Sequence, residues 1–355
     1  MASTTKTSKL RAQAIGCSLF PQGSLRKAVD RLGFVQADPI QAPARAQDLI
    51  LRQRVRGYRV GDLDRAYADL DLEEDMLYAY GFMPRETWAC LYPRRVTAKL
   101  SKLERRVLGA VAESGPVHPR DLDEEFGRER VRNAWGGHSQ ATKRALEVLH
   151  RRGLLRVAGR RKGVRLYESA KSVPDVSPEE RLLRLARIVT RIFAPAPKRA
   201  VRSLLGRLGR ALLDPKAGRS ALDQLVRTQE VIEETVDGVV YLIPAEALDP
   251  RDPLDKARIL APFDPLVHDR QRFEHLWGWA YRFEAYTPVA KRVRGYYAMP
   301  LLWRDRVVGW ANVSAQDGAV EVEVGYVKRR PRDAGFEGEL DAEISRLRAF
   351  LKRRD

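Results

Sequence analysis

A helix, a glycine and a two-stranded hairpin follow one another in SQATKRALEVLHRRGLLRVAGRRKGVRLYE, residues 139–168. Ser139 can cap a helix over residues 141–152, where apolar residues recur at the spacing of a buried stripe and basic residues face outward. Gly153 is a typical helix stop. Apolar and basic residues then alternate on either side of a basic turn at residues 159–163, which predicts a hairpin.

Two further helical patterns precede this stretch, at residues 103–111 and 119–126. Three helices followed by a two-stranded hairpin are typical of a winged helix, a DNA-binding relative of the helix-turn-helix. Residues 178–243 repeat the same order more weakly, and the turn of their final hairpin is acidic rather than basic. We interpret this second region as a divergent copy with a different task.

The two ends of the chain differ in pattern. The first ten residues are polar and are expected to be loose. From Lys9 to about Pro93 the pattern is mostly helical, with Ser24 and Pro43 at helix starts. From Leu260 onward the chain is strand-rich. The predicted strands span residues 281–285, 295–303, 306–313 and 319–324, and the predicted last helix spans residues 339–351.

The predicted fold class is α+β, with mostly helical tandem winged-helix motifs followed by a strand-rich C-terminal domain. A chain of 355 residues is long enough for several domains, each with its own core. The predicted domains are an N-terminal helical or winged-helix segment at 9–97, a basic winged helix at 98–172, a second, divergent winged helix at 173–250 and an α+β domain at 251–355.

The charge of the chain is strongly positive and unevenly placed. The formal net charge is +18, from 65 Lys and Arg residues against 47 Asp and Glu residues. Residues 98–172 hold 18 basic and 9 acidic residues, whereas residues 173–250 hold 12 and 11. Half of the excess therefore lies in about a fifth of the chain. Such clustering is typical of a protein that binds nucleic acid, and it argues against the simpler explanation of biased composition and solvated faces.

Several classes of protein are not indicated. Cys17 and Cys90 are far apart, which favours a reducing compartment over a disulfide framework. The five histidines have no metal-ligand spacing, and no phosphate-binding glycine loop is present, so neither a metal nor a cofactor is expected. No signal core or membrane span is evident, and the expected location is cytoplasmic, with the nucleoid when bound to DNA.

The segment FVQADPIQAPARAQDLILRQR, residues 34–54, carries the clearest candidate for catalysis. Gln36 and Asp38 are two residues apart, so an extended backbone points both side chains to one side. Such a pair can hold and deprotonate one water, or face a cationic reaction centre. Two alternatives remain: Asp38-Pro39 is also a common helix N-cap, and Gln36 alone is more often a buried, hydrogen-bonded amide.

Four blocks of the sequence together resemble the YcaQ-like winged-helix DNA glycosylases, in the order of that family. The first two blocks are the Gln-apolar-Asp motif with its following helix, residues 35–54, and Phe82-Met83-Pro84-Arg85. The third combines Trp135-Gly136-Gly137 with residues 142–149 and the hairpin that ends at Tyr167. The fourth begins with Phe263-Asp264-Pro265-Leu266-Val267-His268-Asp269-Arg270 and continues through Tyr286, residues 288–292 and residues 295–297 to Pro300-Leu301.

The resemblance implies a DNA repair enzyme that excises N7-alkylated guanine and unhooks interstrand crosslinks. Asp38 would activate water and stabilise an oxocarbenium-like sugar, and Gln36 would position that water. No lysine nucleophile lies near the motif, which indicates a monofunctional glycosylase. The implied partner is double-stranded DNA with alkylated or crosslinked guanine, bound by a monomer without a membrane. One position departs from the family: Tyr78 stands where the family has a histidine.

The residues expected to contact DNA are basic or polar and lie near the motif, on the basic winged helix or in the fourth block. They are Arg45, Arg54, Lys143, Arg144, Arg160, Arg161, Lys162, His268, Arg270, Lys291 and Arg292.

Each of these residues also has a simpler explanation, as a structural or a solvent-exposed side chain. Arg45 and Arg54 can form an exposed helix face paired with Asp48, and the basic turn can be solvated. His268 and Arg270 can line the lesion site or brace the last domain. The alternative function is a non-catalytic winged-helix DNA-binding regulator. RNA binding is disfavoured, because the aromatic sheet motifs that bind single strands are missing.

Overall fold

The computed structural model describes residues 2–95, 98–132, 137–247, 255–316 and 319–352. Within these ranges the chain forms fourteen α-helices and fourteen β-strands, which confirms the predicted α+β class. Trp135 and Gly136 of the third sequence block lie outside the described residues. None of the helices in the described ranges combines the length and the apolar character that a membrane crossing requires.

The N-terminal segment combines helices with a small antiparallel sheet of order β1-β3-β2. Its elements are α1 (Ala2–Ser18), α2 (Leu25–Leu32), β1 (Val35–Gln36), α3 (Ala46–Leu51), α4 (Asp62–Ala66), β2 (Leu72–Met76), β3 (Tyr80–Pro84) and α5 (Arg85–Ala89).

Two predictions for this segment are wrong. The first residues are helical rather than loose, because Leu10 and Ala14 of α1 are buried against distant parts of the chain. The sheet was not predicted at all, because β2 has the sequence Leu-Glu-Glu-Asp-Met and lacks alternating apolar residues. Its three carboxylates are buried only because arginines from other segments pair with them.

The second region has the predicted order of three helices and a hairpin, with one short extra hairpin between its second and third helices. Its elements are α6 (Lys102–Ser114), α7 (Pro119–Phe126), β4 (Arg130–Arg132), β5 (His138–Gln140), α8 (Ala141–Arg151), β6 (Leu155–Arg161) and β7 (Val164–Ser169).

Local sequence explains most of this region. Ser101 and Glu104 form a capping box at the start of α6. Lys162 and Gly163 form the two-residue turn between β6 and β7, with φ of +51° and +79°, as a tight hairpin requires. The predicted capping of α8 by Ser139 is wrong, because Gln140 occupies the N-cap and makes no side-chain cap bond.

The third region again runs through three helices to a hairpin. Its elements are α9 (Pro178–Ile192), β8 (Ala196–Pro197), α10 (Lys198–Leu212), α11 (Pro215–Arg227), β9 (Val231–Val236) and β10 (Val239–Pro244). The 3₁₀ turn Ala245–Ala247 follows β10.

The C-terminal region is an antiparallel sheet of order β11-β12-β13-β14, flanked by helices. Its elements are β11 (Ala257–Ile259), α12 (Pro265–His268), α13 (Arg270–Trp277), the 3₁₀ turn Val289–Lys291, β12 (Met299–Trp303), β13 (Arg306–Gln316), β14 (Ala319–Tyr326) and α14 (Phe336–Leu351).

The predicted strand at residues 281–285 is wrong, because this segment is the start of a long loop between α13 and β12. Its alternating pattern reflects alternate burial without strand pairing. Tyr281 is buried and donates its hydroxyl hydrogen to Ala298 O at 2.7 Å. Glu284 is buried and accepts from backbone N–H groups further along the same loop.

Three of the four hydrophobic cores join segments that are distant in sequence. Residues 20–82 share one core with residues 257–350, and residues 10–19 share another with residues 236–307. The third core combines residues 34–92 with residues 182–242. Only the core within residues 107–167 belongs to a single region. The Gln36–Asp38 segment therefore lies where the N-terminal and C-terminal regions pack on each other.

Candidate active site

The Gln36–Asp38 segment leaves the N-terminal sheet beside the turn of the β2–β3 hairpin. Gln36 pairs with Gly81 across β1 and β3, and the Ala37 N–H donates to Tyr80 O at 2.9 Å. Because these strands are antiparallel, Asp38 lies next to the hairpin turn at residues 77–79. Backbone pairing therefore fixes the position of the motif.

Asp38 does not begin a helix. Its Oδ1 accepts from the Ile40 backbone N–H at 2.9 Å, which forms an Asx turn, and the next helix starts only at Ala46. The helix N-cap alternative is therefore wrong, and so is the prediction that Pro43 opens a helix. Within the described part of the chain, no hydrogen bond or ion pair engages the second carboxylate oxygen, Oδ2.

Two other polar groups near Asp38 are buried without partners. Gln36 is only 8% exposed, and its Oε1 accepts no hydrogen bond from the described residues. The Tyr297 hydroxyl is also buried and has no hydrogen-bond partner among the described residues. Burial raises the pKa of Tyr297, and the negative charge of Asp38 raises it further. A buried polar group without a partner costs about 1–3 kcal/mol, so each of these two groups is open to a bond from a water or a ligand.

Arg54, expected to contact phosphate, is fully buried and paired with Asp264. Its guanidinium donates to both carboxylate oxygens of Asp264 at 2.8 and 2.9 Å. It also donates to Ser18 O and Ile50 O at 2.8 Å and to Ser18 Oγ at 3.0 Å. All five N–H donors are used inside the protein. The phosphate assignment for Arg54 is therefore corrected to a structural one, because neither side chain of the pair reaches solvent.

Tyr78 packs among aromatic rings instead of facing Asp38 as a titrating group. Its ring centroid lies 4.7 Å from those of Phe34 and His268 and 4.8 Å from that of Phe193. Burial lowers the pKa of His268 to about 4, and the nearby Arg270 contributes. The rings of Tyr78, Phe193 and His268 line a cavity of about 180 Å³, which Arg207 and Asp269 also border. An imidazole is thus present beside position 78, supplied by α12.

Arg270, also expected to contact DNA, braces the C-terminal region. It donates to Val267 O at 2.7 Å and to Pro262 O at 2.9 Å, and its guanidinium lies 4.5 Å from the Tyr281 ring centroid. Burial lowers its pKa. Of the two alternatives left by the sequence, the bracing role fits this geometry.

The buried carboxylates of β2 hold the second region against the hairpin. Glu73 accepts from Arg156 at 2.8 Å, and Glu74 accepts from both terminal nitrogens of Arg160 at 2.5 and 2.6 Å. Asp75 forms an ion pair with Arg94 at 3.1 Å. Arg160 was expected in the basic turn at residues 159–163, with its side chain facing DNA, but its guanidinium is bound to Glu74. Its assignment to DNA is therefore corrected to a link between the two regions.

The other predicted DNA contacts lie nearer the surface. Arg45 is partly exposed and is paired with Asp64 at 2.5 Å and with Asp48 at 3.4 Å. Arg161 is exposed and paired with Asp121 at 2.8 Å. Four of the remaining five are exposed: Lys143 and Arg144 on α8, Lys162 on the β6–β7 turn and Lys291 in the long loop.

Arg292 is partly exposed in the long loop and donates to Thr287 O at 2.8 Å. The structure thus brings Gln36, Asp38 and the loop that ends at Tyr297 together. Lys143, Arg144, Arg161 and Lys162 lie on a separate region of the chain.

Tyr297 is the site residue that sequence reasoning missed. It belongs to the fourth sequence block, where Gly295-Tyr296-Tyr297 offers two tyrosines with the same local pattern. Tyr296 is 43% exposed and Tyr297 is 5% exposed. Burial distinguishes the two, and Tyr297 packs against Phe283 with ring centroids 5.3 Å apart.

Comparison with known protein families identifies the chain. Residues 29–350 match the model of the family described as DNA glycosylase AlkZ-like, so the match includes the Gln36–Asp38 segment, the β2–β3 hairpin and Tyr297. The match assigns the molecule a DNA substrate and the hydrolysis of an N-glycosidic bond in DNA repair. The chain belongs to the AlkZ-like DNA glycosylase family.

Proposed function

We propose that this enzyme hydrolyses the N-glycosidic bond of N7-alkylated guanine in double-stranded DNA, and that crosslinked guanines are among its substrates. The observation that carries the proposal is the group of three polar side chains at the motif. Asp38 Oδ2, Gln36 Oε1 and the Tyr297 hydroxyl have no partner among the described residues, and Ala37, between Gln36 and Asp38, packs in the same hydrophobic cluster as Tyr297.

The chemistry of the lesion explains why a carboxylate suffices. Alkylation at N7 gives guanine a positive charge, so the base leaves as a neutral molecule and needs no strong general acid. The electron-poor deoxyribose that develops is stabilised by a nearby negative charge. In the proposed role, Asp38 faces C1′ and takes a proton from the attacking water, and Gln36 Oε1 accepts a hydrogen bond from the same water.

Tyr297 is proposed as a hydrogen-bond donor. Because its pKa is raised, the phenol keeps its proton throughout the physiological range. It can donate to the attacking water or to the leaving base without losing that proton. The proposed reaction is monofunctional: water attacks C1′, the base leaves and an abasic site remains.

The proposed path of DNA runs from the motif to the basic surface of the second region, which we interpret as a winged helix. Lys143 and Lys162 are exposed there, on the third helix and on the wing turn. These are the elements that enter or border a groove in winged helices. A crosslinked base is tethered to the other strand and cannot swing fully out of the duplex, so the proposal requires the motif to meet the lesion within the helix.

Excision is tested with duplexes that contain N7-methylguanine, a bulky N7 monoadduct or an interstrand crosslink, followed by alkali cleavage of abasic sites. The wild type is expected to produce alkali-labile sites, and Asp38→Asn is expected to lower their rate of formation by roughly 10²–10³-fold. Asp30→Asn, which changes an exposed carboxylate paired with Arg26, is the matched control. Tight duplex binding without alkali-labile sites from any lesion would instead indicate a non-catalytic DNA-binding regulator.

A further inference from the structure

The loop from Glu284 to Tyr297 exposes an unusual amount of apolar surface. Tyr286 is 79% exposed, Val289 and Val293 are each 75% exposed, and Tyr296 is 43% exposed. In the described part of the chain, no other large hydrophobic side chain is exposed by more than 49%. Protruding apolar side chains grouped in one loop are typical of a surface that meets a partner.

The loop is held in shape from within. Glu284 is 7% exposed, and its Oε2 accepts from the backbone N–H groups of Val293, Arg294 and Gly295 at 3.0, 2.9 and 3.3 Å. One carboxylate thus ties the returning half of the loop to its start. Because the backbone is ordered by these bonds, its apolar side chains can be presented to a partner without a further loss of conformational entropy.

Aromatic contacts anchor the same loop to the C-terminal sheet. The Arg294 guanidinium lies 5.1 Å from the Trp279 ring centroid and 5.3 Å from that of Trp310. Asn312 Nδ2 donates to Arg294 O at 2.7 Å. Arg294 therefore points inward and serves the fold, whereas Lys291 is exposed in the 3₁₀ turn between the two valines.

The loop ends at the proposed active site. Tyr297 is its last residue, and it shares one hydrophobic cluster with Ala37, the residue before Asp38. At the other end, Phe283 packs on Tyr297 and on Phe263, with ring centroids 5.3 and 5.0 Å apart. Both ends of the loop therefore pack in the cluster that also contains Ala37, and the exposed apolar side chains lie between these two ends.

We propose that the 284–297 loop is a wedge that enters the base stack beside the lesion, with Tyr286, Val289 and Val293 against the bases and Lys291 on a phosphate. Apolar side chains flanked by cations unstack base steps in this way in other DNA-binding proteins. The inference rests on the proposed function for the position of the damaged sugar. It adds a device that opens the duplex around a base that cannot swing out.

The test uses the full chain in an Asp38→Asn background, so that bound DNA is not converted during the measurement. The duplex carries N7-methylguanine with 2-aminopurine as its neighbour, and unstacking is measured as a rise in 2-aminopurine fluorescence on binding. A several-fold rise is expected. The triple variant Tyr286→Ser, Val289→Ser, Val293→Ser is expected to lose most of that rise, while Met76→Ser, another exposed apolar side chain, keeps it.

Two further measurements separate a wedge from a general DNA contact. Thermal unfolding of the triple variant should match that of the parent, because the three side chains are exposed. Its salt dependence of DNA binding should also be unchanged, whereas Lys291→Ala should lower the slope by about one counterion. Absence of a fluorescence rise with the parent protein, or a rise that the triple variant retains, would overturn the wedge.

The remaining outcomes also distinguish the two proposals. Excision that depends on Asp38 without loop-dependent unstacking would leave the proposed function standing and remove the wedge. Loop-dependent unstacking by a protein that never excises a base would support the wedge and remove the proposed function. Sedimentation with anionic lipid vesicles tests for a different partner of the loop. Loop-dependent binding to vesicles without loop-dependent unstacking of DNA would indicate that this surface binds a membrane.

Discussion

Removal of the Arg54 guanidinium tests the buried ion pair between Arg54 and Asp264. Arg54→Ala leaves the Asp264 carboxylate fully buried with the Leu266 N–H, at 3.1 Å, as its remaining hydrogen-bond donor among the described residues. It also leaves Ser18 O and Ile50 O without this donor. Breaking a buried ion pair from one side costs about 3–5 kcal/mol, because the other charge stays in the interior.

The expected loss for Arg54→Ala is therefore about 4 kcal/mol in the free energy of unfolding, measured by urea denaturation followed with circular dichroism. Arg26→Ala is the control, since Arg26 pairs with Asp30 at the surface and its loss should change stability by less than about 1 kcal/mol. The double variant Arg54→Met, Asp264→Leu removes both charges. Its loss in the free energy of unfolding should be smaller, by at least about 2 kcal/mol, than the sum of the losses in the two single variants.

The same variants decide between the buried role and the phosphate role of Arg54. A phosphate ligand would lower DNA affinity and the salt slope with little change in stability. If Arg54→Ala unfolds within about 1 kcal/mol of the wild type and shows a salt slope reduced by about one, the argument from burial is refuted. Arg54→Lys offers a milder change if the alanine variant does not fold.

Three further predictions concern the surroundings of Asp38. Burial lowers the pKa of His268 in the folded protein to about 4, so between pH 6.5 and 4 the unfolded chain binds a proton that the folded chain does not. The free energy of unfolding should therefore fall by about 3 kcal/mol as the pH falls through that window. Urea titrations at several pH values should show this fall in the wild type and a smaller fall in His268→Phe. The neutral imidazole also predicts no break near pH 6.5 in the excision rate. Gly81→Ala should lower both thermal stability and excision, since a Cβ would overlap Val35 O and come within 2.9 Å of Phe34 Cε1, whereas Gly109→Ala meets open space. Tyr297→Phe should slow single-turnover excision about tenfold with unchanged melting temperature; an unchanged rate would remove the hydroxyl from the mechanism.

Helices with a strong apolar period were predictable from the sequence. Residues 119–126 were predicted as a helix and form α7, and the turn of the hairpin at Lys162-Gly163 follows from local residue types. The α+β class followed because such local patterns dominate the middle of the chain and alternating strands dominate its end.

Features that depend on distant partners were not predictable. Arg54 and Asp264 are 210 residues apart, and nothing in the sequence around Arg54 shows that its charge points inward. The same holds for β2, whose consecutive acidic residues are typical of an exposed loop. They form a buried strand because Arg94, Arg156 and Arg160 from other segments pair with them. Sequence patterns report periodicity, whereas buried ion pairs are set by tertiary structure.

The candidate site divides in the same way. Gln36 and Asp38 could be selected from the sequence because their spacing and their family resemblance agree. Tyr297 could not, because its neighbour Tyr296 has an equivalent local pattern and differs only in burial. The Asx turn of Asp38 was hidden for a related reason, since Asp-Pro is compatible with both a helix start and a turn.

Single-turnover release of N7-methylguanine from a duplex by Asp38→Asn protein is the most direct test of the negative charge at the sugar. The substitution keeps the size of the side chain and removes its charge. We predict a rate at least about 100-fold below that of the wild type, at equal DNA affinity and equal melting temperature. Release by the substituted enzyme at a rate close to that of the wild type would contradict the account.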